Sequence, residues 1–343
     1  MNSISRISVR TTSRQLKEPF RTSLRTVTNF EVIEFEIETD DGFIACGEAV
    51  ETPAITGDTL EMILADLNGP IKELLTGSTF SSALELTEGI SKLSVVSSAK
   101  AAADVALFNL SAALENMSLP EFLGCQAQSV ATDVTIPVAE LIDLPAIIQN
   151  RVEGGFHTYK VKLAMEPLEL SVQKLQLIKE LVGDSLGIRV DPNQAWTVAH
   201  TLSFLERVES LGLTLEYMEQ PTPAEDKVAL AQIRRNTDVP IMADESCFTM
   251  KDLHELIELD AVDLVNLKLL KSGGITPALE MADAARKPGI KALVGSMMEG
   301  ERGVYAAVAL AGTIAPDEVH DLDASWWATD SIIKYAGGEV SLA

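Results

Sequence analysis

Five short runs of sequence decide the fold of this chain: YKVK (159–162), RVDPN (189–193), YMEQP (217–221), MADE (242–245) and NLK (266–268). Each run joins apolar residues typical of a buried strand to charged or amide residues at its end. With similar runs on either side, eight strands are predicted, at residues 135–138, 158–163, 187–191, 215–219, 240–244, 264–268, 292–296 and 319–323. The last six end 24 to 28 residues apart, which is the length of one βα unit. We therefore expect an α/β protein with a modified (β/α)8 barrel of the TIM type.

The residues before the barrel follow a different pattern. Polar and apolar residues alternate over 32–38, and Asp40-Asp41-Gly42 is typical of a hairpin turn. From residue 60 to residue 114 the periodicity becomes helical. We therefore predict an N-terminal α+β capping domain at residues 1–125, the barrel with the catalytic site at 126–323, and a tail at 324–343 that returns to the cap.

The charge of the chain limits its partners. Its 343 residues include 27 basic and 51 acidic side chains, a net charge of −24. Phosphate backbones and anionic lipids repel such a chain, so neither nucleic acid nor a membrane surface is an expected partner. The sequence contains neither an apolar signal-peptide core nor an apolar run long enough to span a bilayer, so a cytoplasmic location is expected.

Three carboxylates end consecutive predicted strands: Asp191, Glu219 and Asp244. The carboxyl ends of barrel strands meet at one mouth, so these groups should converge and repel one another unless a cation binds them. Oxygen ligands favour Mg²⁺, with Mn²⁺ as a possible substitute. Asn193 and Glu245 follow two of these strand ends and are secondary candidates. The alternative is that the carboxylates cap helices or pair with lysines.

Three lysines occupy the same mouth. Lys160 and Lys162 are two residues apart, so they share one face of a strand, and two neighbouring ammonium groups should lower each other's pKa. Lys268 ends the sixth strand, across the barrel from the second. A base on each side of a substrate carbon permits proton exchange with inversion. Salt bridges to the nearby carboxylates are the alternative for each lysine.

Together these residues resemble the enolase superfamily, specifically its muconate-lactonizing-enzyme subgroup. The resemblance implies that a proton is removed next to a carboxylate, with Mg²⁺ bound by the three strand-end carboxylates. Lys160, Lys162 and Lys268 would be the acid/base residues, and the first domain would close over the barrel. It also implies a homo-oligomer.

The eighth predicted strand contains Asp321 and Asp323 on one face, and such a pair can bind an ammonium group. The sequence here is similar to the dipeptide epimerases, which implies 1,1-proton transfer at the α-carbon of the C-terminal residue of a dipeptide. Similarity to the L-Ala-D/L-Glu epimerases implies that preferred substrate and a use in murein peptide metabolism. The implied substrate-binding residues are Arg25 for an acidic side chain, Lys160, Thr135, Ser296, Met297, Asp321 and Asp323, with Ile55 as a secondary residue.

Other functions remain open from the sequence. The adjacent Trp326 and Trp327 depart from the expected pattern and would suit a dipeptide epimerase of hydrophobic specificity. Packing of these rings against the cap is the alternative. The same subgroup includes o-succinylbenzoate synthase, cycloisomerase and N-acylamino acid racemase activities, and fold does not choose among them. From a different class, a noncatalytic metal-dependent binding protein would use the same scaffold.

Overall fold

The computed structural model describes residues 2–183 and 187–341 of the chain. Its first part contains an antiparallel sheet of four strands in the order β3-β2-β1-β4. The strands are β1 (Asn2–Arg21), β2 (Thr26–Thr39), β3 (Ile44–Val50) and β4 (Thr79–Phe80). Pairing of β1 with β2 continues to Arg21 and Thr26, so the loop between them projects from the end of a long hairpin.

Helices cover one side of this sheet. The α-helices are α1 (Leu60–Asp66), α2 (Lys72–Leu75), α3 (Thr87–Lys92), α4 (Ser97–Leu114) and α5 (Leu119–Phe122), with a π-type turn at Leu67–Ile71 and a 3-10 turn at Ala83–Leu86. The small residues of α4 allow close approach to β3. A Cβ on Gly47 would lie 2.0 Å from the backbone oxygen of Ala102, so this packing requires glycine.

The second part is a parallel sheet of seven neighbouring strands, curled into a barrel. They are β6 (Val134–Ile136), β7 (Thr158–Lys162), β8 (Gly187–Asp191), β9 (Tyr217–Glu219), β10 (Ile241–Ala243), β11 (Leu264–Lys268) and β12 (Lys291–Gly295). Its helices are α6 (Leu144–Glu153), α7 (Leu168–Val182), α8 (Val198–Ser210), α9 (Lys227–Arg234), α10 (Met250–Glu258), α11 (Leu269–Ser272), α12 (Ile275–Arg286) and α13 (Glu301–Ile314). The predicted α/β class with an α+β cap is confirmed.

The eighth predicted strand is a correction to the sequence analysis. Residues 319–323 form no regular strand; instead His320 and Asp321 make single parallel bridges to Thr132 and Gly295. The chain then turns at once into helix α14 (Ala324–Trp327). Two bridging residues therefore close the barrel between β12 and β6, because the following turn ends the ladder.

The cap and the barrel share interior packing. One hydrophobic core includes cap residues such as Phe35 and Ala102 together with Val294 of β12 and Val308 of α13. In addition, Asp104 of α4 accepts hydrogen bonds from the backbone N–H groups of Ile275 (2.6 Å) and Thr276 (3.2 Å) and from the Thr276 hydroxyl (2.8 Å). A cap-domain carboxylate thus caps the first turn of a barrel helix.

The tail contacts both parts. Ala328 bridges Leu16 of β1, and the strands β13 (Tyr335–Ala336) and β14 (Glu339–Ser341) form a small sheet with β5 (Ser129–Ala131). The boundaries at residues 125 and 323 stay predictions, and the last two residues of the predicted tail lie outside the described residues. No described helix has the length and apolar character needed to cross a membrane.

Candidate active site

A small cavity lies at the carboxyl ends of the barrel strands, beneath the loop that joins β1 to β2. Its volume is about 50 Å³. Ser23 Oγ in this loop lies within hydrogen-bond distance of the backbone oxygens of Leu163 (3.0 Å) and Pro192 (2.8 Å), which belong to barrel loops. The loop of the cap is therefore closed over the barrel mouth.

The structure brings the predicted site residues together around this cavity. Those that line it are Arg25, Ile55, Thr135, Lys160, Lys162, Asn193, Asp244, Lys268, Ser296, Met297, Asp321 and Asp323. The other predicted residues, Asp191, Glu219 and Glu245, are buried and pair with members of the lining. Further lining residues, which were not among the predicted site residues, are Phe20, Thr22, Met298 and Ala324.

Local backbone geometry orients the first carboxylate. Asp191 is the last residue of β8, and its Oδ1 accepts a hydrogen bond from the backbone N–H of Asn193 at 2.7 Å. Asn193 has a φ of 45°, in the left-handed region that asparagine tolerates better than most residues. The turn after β8 therefore folds back on Asp191 and restricts its rotation.

Lys160 lies at the centre of the charged groups and is buried. Its Nζ lies 2.7 Å from Asp321 Oδ2, 2.8 Å from Glu219 Oε2 and 3.7 Å from Asp191 Oδ2. Burial lowers the pKa of Lys160, but the three carboxylates outweigh burial and raise the pKa well above its usual value. The predicted lowering by Lys162 is therefore wrong for Lys160, because carboxylates lie closer to its ammonium than the prediction assumed.

The other two lysines pair with different carboxylates. Lys162 Nζ lies 2.5 Å from Asp191 Oδ2, and Lys268 Nζ lies 2.8 Å from Asp244 Oδ2. Burial lowers the pKa of Lys268, but the negative charges of Asp244 and Asp321 raise it by more, so the net shift is upward. Because β7 and β11 are separated by three strands in the sheet order, the two lysines reach the cavity from different sides of the barrel.

Two further polar residues of the mouth were missed. Asn266 Nδ2 donates to Glu219 Oε1 and to Asp321 Oδ2, both at 3.0 Å. Lys271 Nζ, in α11, lies 2.5 Å from Asp244 Oδ1 and 2.8 Å from the backbone oxygen of Asn266. Asn266 was detectable, because it is two residues before Lys268 and shares its strand face. Lys271 lies beyond the strand, where the alternation of side chains between the two faces of a strand no longer predicts which residues face the mouth.

The donor atoms fit a divalent cation, although lysines pair with them here. Within residues 2–183 and 187–341, no three His, Cys, Asp or Glu side chains form a preformed metal cage. However, Glu245 Oε2 is buried without a hydrogen-bond partner among the described residues, and Glu219 Oε2 is buried against the Lys160 ammonium at 2.8 Å. Burial, followed by repulsion from Asp244 and Asp191, raises the pKa of Glu245 to about 8. A hard cation would satisfy these oxygens and favour their ionised form.

The two aspartates after β12 have different surroundings. Asp321 Oδ2 accepts from Lys160 at 2.7 Å and is 3.5 Å from Lys268 Nζ, so Asp321 is paired with lysines. Burial raises the pKa of Asp321, but these lysines outweigh it and lower the pKa overall. Asp323 Oδ2 accepts from the backbone N–H of Thr135 (2.7 Å) and from Trp327 Nε1 (2.9 Å). Of these two aspartates, Asp323 is therefore the one that pairs with no lysine of the described residues.

The cap contributes a cation to the same cavity. The Arg25 side chain is half-buried and lines the cavity, and no hydrogen bond or ion pair found in the described part of the chain uses its guanidinium. Burial lowers the pKa of Arg25, and Glu51 opposes this shift. Ser296 also lines the cavity, and its Oγ is buried without a hydrogen-bond partner in the described part of the chain. The lining thus contains donors that a ligand could use.

The adjacent tryptophans do not line the cavity. Trp327 is fully buried and packs edge-on against Phe20 of β1, with ring centroids 4.9 Å apart. Trp326 packs against Phe156 at 5.6 Å. Of the two alternatives raised by the sequence, packing against the cap is therefore the arrangement that the structure shows for Trp327.

Comparison with known proteins places the chain in a family. Residues 5–124 match the model of the mandelate racemase/muconate lactonizing enzyme N-terminal domain, and residues 143–340 match the model described as enolase C-terminal domain-like. The chain is 32% identical over 332 residues to an L-Ala-D/L-Glu epimerase of Bacillus subtilis, covering 95% of this chain and 91% of that protein.

Solved structures agree with this placement. A substrate-liganded L-Ala-D/L-Glu epimerase from Bacillus subtilis superposes with a TM-score of 0.95 at 32% identity, covering 99% of this chain and 96% of that chain. A dipeptide epimerase from Enterococcus faecalis, in complex with Mg and the dipeptide L-Leu-L-Tyr, superposes with a TM-score of 0.93 at 29% identity. The match covers 99% of this chain and 97% of that chain. The chain therefore belongs to the mandelate racemase/muconate lactonizing enzyme family of the enolase superfamily, as its strand-end residues predicted.

Proposed function

We propose that this protein is a Mg²⁺-dependent dipeptide epimerase, an isomerase that inverts the α-carbon of the C-terminal residue and prefers L-Ala-D/L-Glu. The observation that carries the proposal is the placement of Lys162 and Lys268. They reach one cavity from different sides, and the same cavity contains Asp323, a carboxylate that pairs with no lysine of the described residues. Relatives with these activities support the proposal.

Two lysines on opposite sides of a carbon provide both halves of a proton exchange. In one direction neutral Lys162 removes the α-proton, and the ammonium form of Lys268 delivers a proton to the other face. In the reverse direction the roles exchange. Asp191, Glu219 and Asp244 would hold Mg²⁺, which supplies positive charge to the substrate carboxylate when bound.

Lys160 has a different role. Its Nζ pairs with Asp321 and Glu219, and its raised pKa keeps it as an ammonium group. A permanent cation at this point stabilises negative charge that develops on the substrate carboxylate. Lys160 therefore acts by electrostatic stabilisation and is not itself the base.

The ends of the substrate match the remaining groups. The Asp323 carboxylate would accept hydrogen bonds from the dipeptide's ammonium group, with Asp321 near that group. The Arg25 guanidinium would pair with a side-chain carboxylate of the second residue, since a free guanidinium in a cavity favours an anion. Thr135, Ser296, Met297 and Ile55 would contact the rest of the dipeptide.

A second candidate is a dipeptide epimerase of hydrophobic specificity. It is favoured by the apolar side chains in the lining, Phe20, Ile55, Met297 and Met298. The Enterococcus faecalis enzyme was solved with L-Leu-L-Tyr, so the family includes a binder of apolar dipeptides. Trp326 and Trp327 give no support to this alternative, because they lie outside the lining.

Proton NMR in D₂O distinguishes these candidates. The loss of the α-proton signal is followed for L-Ala-L-Glu, L-Ala-L-Leu and L-Ala-L-Lys with Mg²⁺ and after its removal by EDTA. Fastest exchange for L-Ala-L-Glu, with appearance of the D-epimer, supports the proposal. Fastest exchange for L-Ala-L-Leu supports hydrophobic specificity. No exchange in any dipeptide overturns the epimerase and leaves the o-succinylbenzoate synthase, cycloisomerase, N-acylamino acid racemase and noncatalytic binding alternatives. Exchange that persists without metal contradicts the assigned cofactor, and Mn²⁺ is tested by adding it back.

The proposal includes a cytoplasmic homo-oligomer that uses murein-derived dipeptides. The net charge of −24 supports a protein without nucleic-acid or membrane-surface partners. Light scattering of the purified protein measures the oligomeric state, and a monomeric mass at micromolar concentration would contradict the homo-oligomer.

A further inference from the structure

Asp323 is held from behind by two hydrogen-bond donors. Its Oδ2 accepts from the indole Nε1 of Trp327 at 2.9 Å and from the backbone N–H of Thr135 at 2.7 Å. The Thr135 side chain also hydrogen-bonds this carboxyl, and Oδ1 receives neither the indole nor the backbone donor. Since Asp323 lines the cavity, the two donors fix one oxygen and leave the other for a ligand.

A buried arginine fixes both donors. The Arg151 guanidinium, from α6, lies 4.6 Å from the ring centroids of both Trp326 and Trp327. Arg151 Nε donates to the backbone oxygen of Thr135 at 3.2 Å, and its Nη2 is paired with Glu18 of β1. Arg151 is completely buried. It thereby connects the two donors of Asp323 to a strand of the cap.

The same contacts determine the charge of Asp323. Burial raises the pKa of Asp323, and repulsion from Asp321 adds to the rise, while Trp327 and Thr135 oppose it. The positive charge of Arg151 also interacts with Asp323. The net shift of the Asp323 pKa is upward, and loss of these groups would raise it further toward the neutral form, which binds an ammonium group weakly.

We propose that Trp327 and Arg151 are positioning residues for the ammonium-binding site, holding Asp323 in place with Oδ1 directed at the substrate's N-terminus. This role rests on the proposed dipeptide epimerase function. Neither side chain touches the substrate; both act through Asp323. The consequence is selective: these residues contribute to binding of a free N-terminal amine and contribute nothing to an N-acylated one.

Kinetics of the whole enzyme with Mg²⁺ test this role. In Trp327→Phe the donor is lost but an aromatic ring remains, so KM for the preferred dipeptide should rise about tenfold, the effect of losing a hydrogen bond to a charged group. The rate constant kcat should stay within twofold, because the lysines are unchanged. The inhibition constant of the N-acetylated dipeptide should also stay unchanged. Trp326→Phe is the matched control, because Trp326 makes no side-chain bond to Asp323, and its KM should remain within twofold of wild type.

A second variant separates the hydrogen bond from ring packing. Replacement of Trp327 by its benzothiophene analogue removes only the N–H and should reproduce the rise in KM even if Trp327→Phe fails to fold. A wild-type KM in this variant, or an equal loss of binding for the N-acetylated inhibitor, overturns the positioning role and leaves the epimerase intact. Absence of dipeptide exchange in the wild-type enzyme overturns the proposed function, and the positioning role with it.

Discussion

The two ends of the barrel both contain buried charges, but they use different cations. At the mouth, Lys160, Lys162, Lys268 and Lys271 share four carboxylates, and Asp244 pairs with two of the lysines. We call this group the mouth cluster; its carboxylates are Asp191, Glu219, Asp244 and Asp321. At the opposite end one guanidinium does the pairing. We call that group, Asp133, Arg189, Glu216 and Tyr217, the floor cluster.

In the floor cluster Arg189 has a partner for each nitrogen. Its Nη1 donates to Asp133 Oδ2 at 2.8 Å, its Nε to Glu216 Oε2 at 2.7 Å and its Nη2 to the Val319 oxygen at 3.0 Å. Its guanidinium carbon lies 4.8 Å from the ring centroid of Tyr217. A planar, permanently charged group thus ties several chain segments together, including the segment that closes the barrel.

The difference indicates the purpose of each cluster. A guanidinium fixes geometry, whereas an ammonium is a point charge on a flexible stem that can lose its proton. Rigid pairing at the floor serves stability, and exchangeable pairing at the mouth serves chemistry. This comparison makes predictions about which end affects activity and which affects folding.

The largest expected effect is in the mouth cluster. Lys268→Ala should reduce the rate of α-proton exchange by about a thousandfold, because a general acid/base group is removed. Its thermal midpoint should stay near that of the wild type, because Asp244 keeps its pair with Lys271 and Asp321 keeps its pair with Lys160. Lys291→Ala, in the same barrel but exposed and paired with Glu318, is the matched control and should retain exchange. Unchanged exchange of both epimers in Lys268→Ala would favour a noncatalytic binding protein.

The next effect concerns the floor cluster. Arg189→Met leaves Asp133 buried without its partner, so the free energy of unfolding should fall by about 3–5 kcal/mol, measured by urea denaturation. Exchange activity per folded molecule should be retained. Arg234→Met removes partly exposed pairs with Asp260 and Asp263 and should cost less, about 1 kcal/mol. A similar decrease in the free energy of unfolding of both variants would contradict the structural role assigned to the floor cluster.

Arg25, a cation that the cap contributes to the cavity, tests substrate specificity. Arg25→Ala should raise KM for an acidic dipeptide by about 10- to 100-fold, the range for a charge-assisted hydrogen bond. KM for an apolar dipeptide should change little. Arg21→Ala, at the exposed end of the same hairpin, is the control. An equal rise in KM for acidic and apolar dipeptides would show that Arg25 supports the loop and does not recognise the side chain of the substrate.

The last prediction concerns the pH dependence of stability and Glu48, a buried carboxylate outside both clusters. Its Oε2 accepts from the backbone N–H groups of Arg302 and Gly303, both at 3.0 Å. Burial raises the pKa of Glu48 to about 7 from a usual 4.5. Between these values the folded state binds more protons than the unfolded state, so stability falls as pH rises from about 4.5 to about 7. Glu48→Gln should therefore be more stable than wild type at pH 8, by about 3 kcal/mol, and equal to it at pH 4.

Urea denaturation at both pH values measures this effect. The neutral glutamine accepts the same hydrogen bonds without the cost of a buried charge. A variant that is less stable than wild type at pH 8 would show that the anion at the start of α13 is favourable, and that Glu48 acts as a helix cap in its ionised form.

Much of the site was predictable because strands alternate. Lys160 and Lys162 share a face at any strand length, and strand-end carboxylates share a mouth in any parallel barrel. The pKa of Lys160 was predicted in the wrong direction, because sequence order shows that Lys162 is near but does not give the distance to Asp321. The regular eighth strand was predicted wrongly, because alternation does not reveal that α14 begins directly after Asp323. Lys271 and Trp327 reach the site from helices, where strand spacing carries no information.

The carboxylate of Asp104 has a further consequence for the unfolding of the molecule. It joins α4 of the cap to the first turn of α12, and the shared core continues across the same boundary. Losing the cap would leave the backbone N–H groups of Ile275 and Thr276 without an acceptor and would expose apolar barrel residues to water. The two parts should therefore melt in one cooperative transition, and those two amides should exchange their hydrogens only when the whole protein opens.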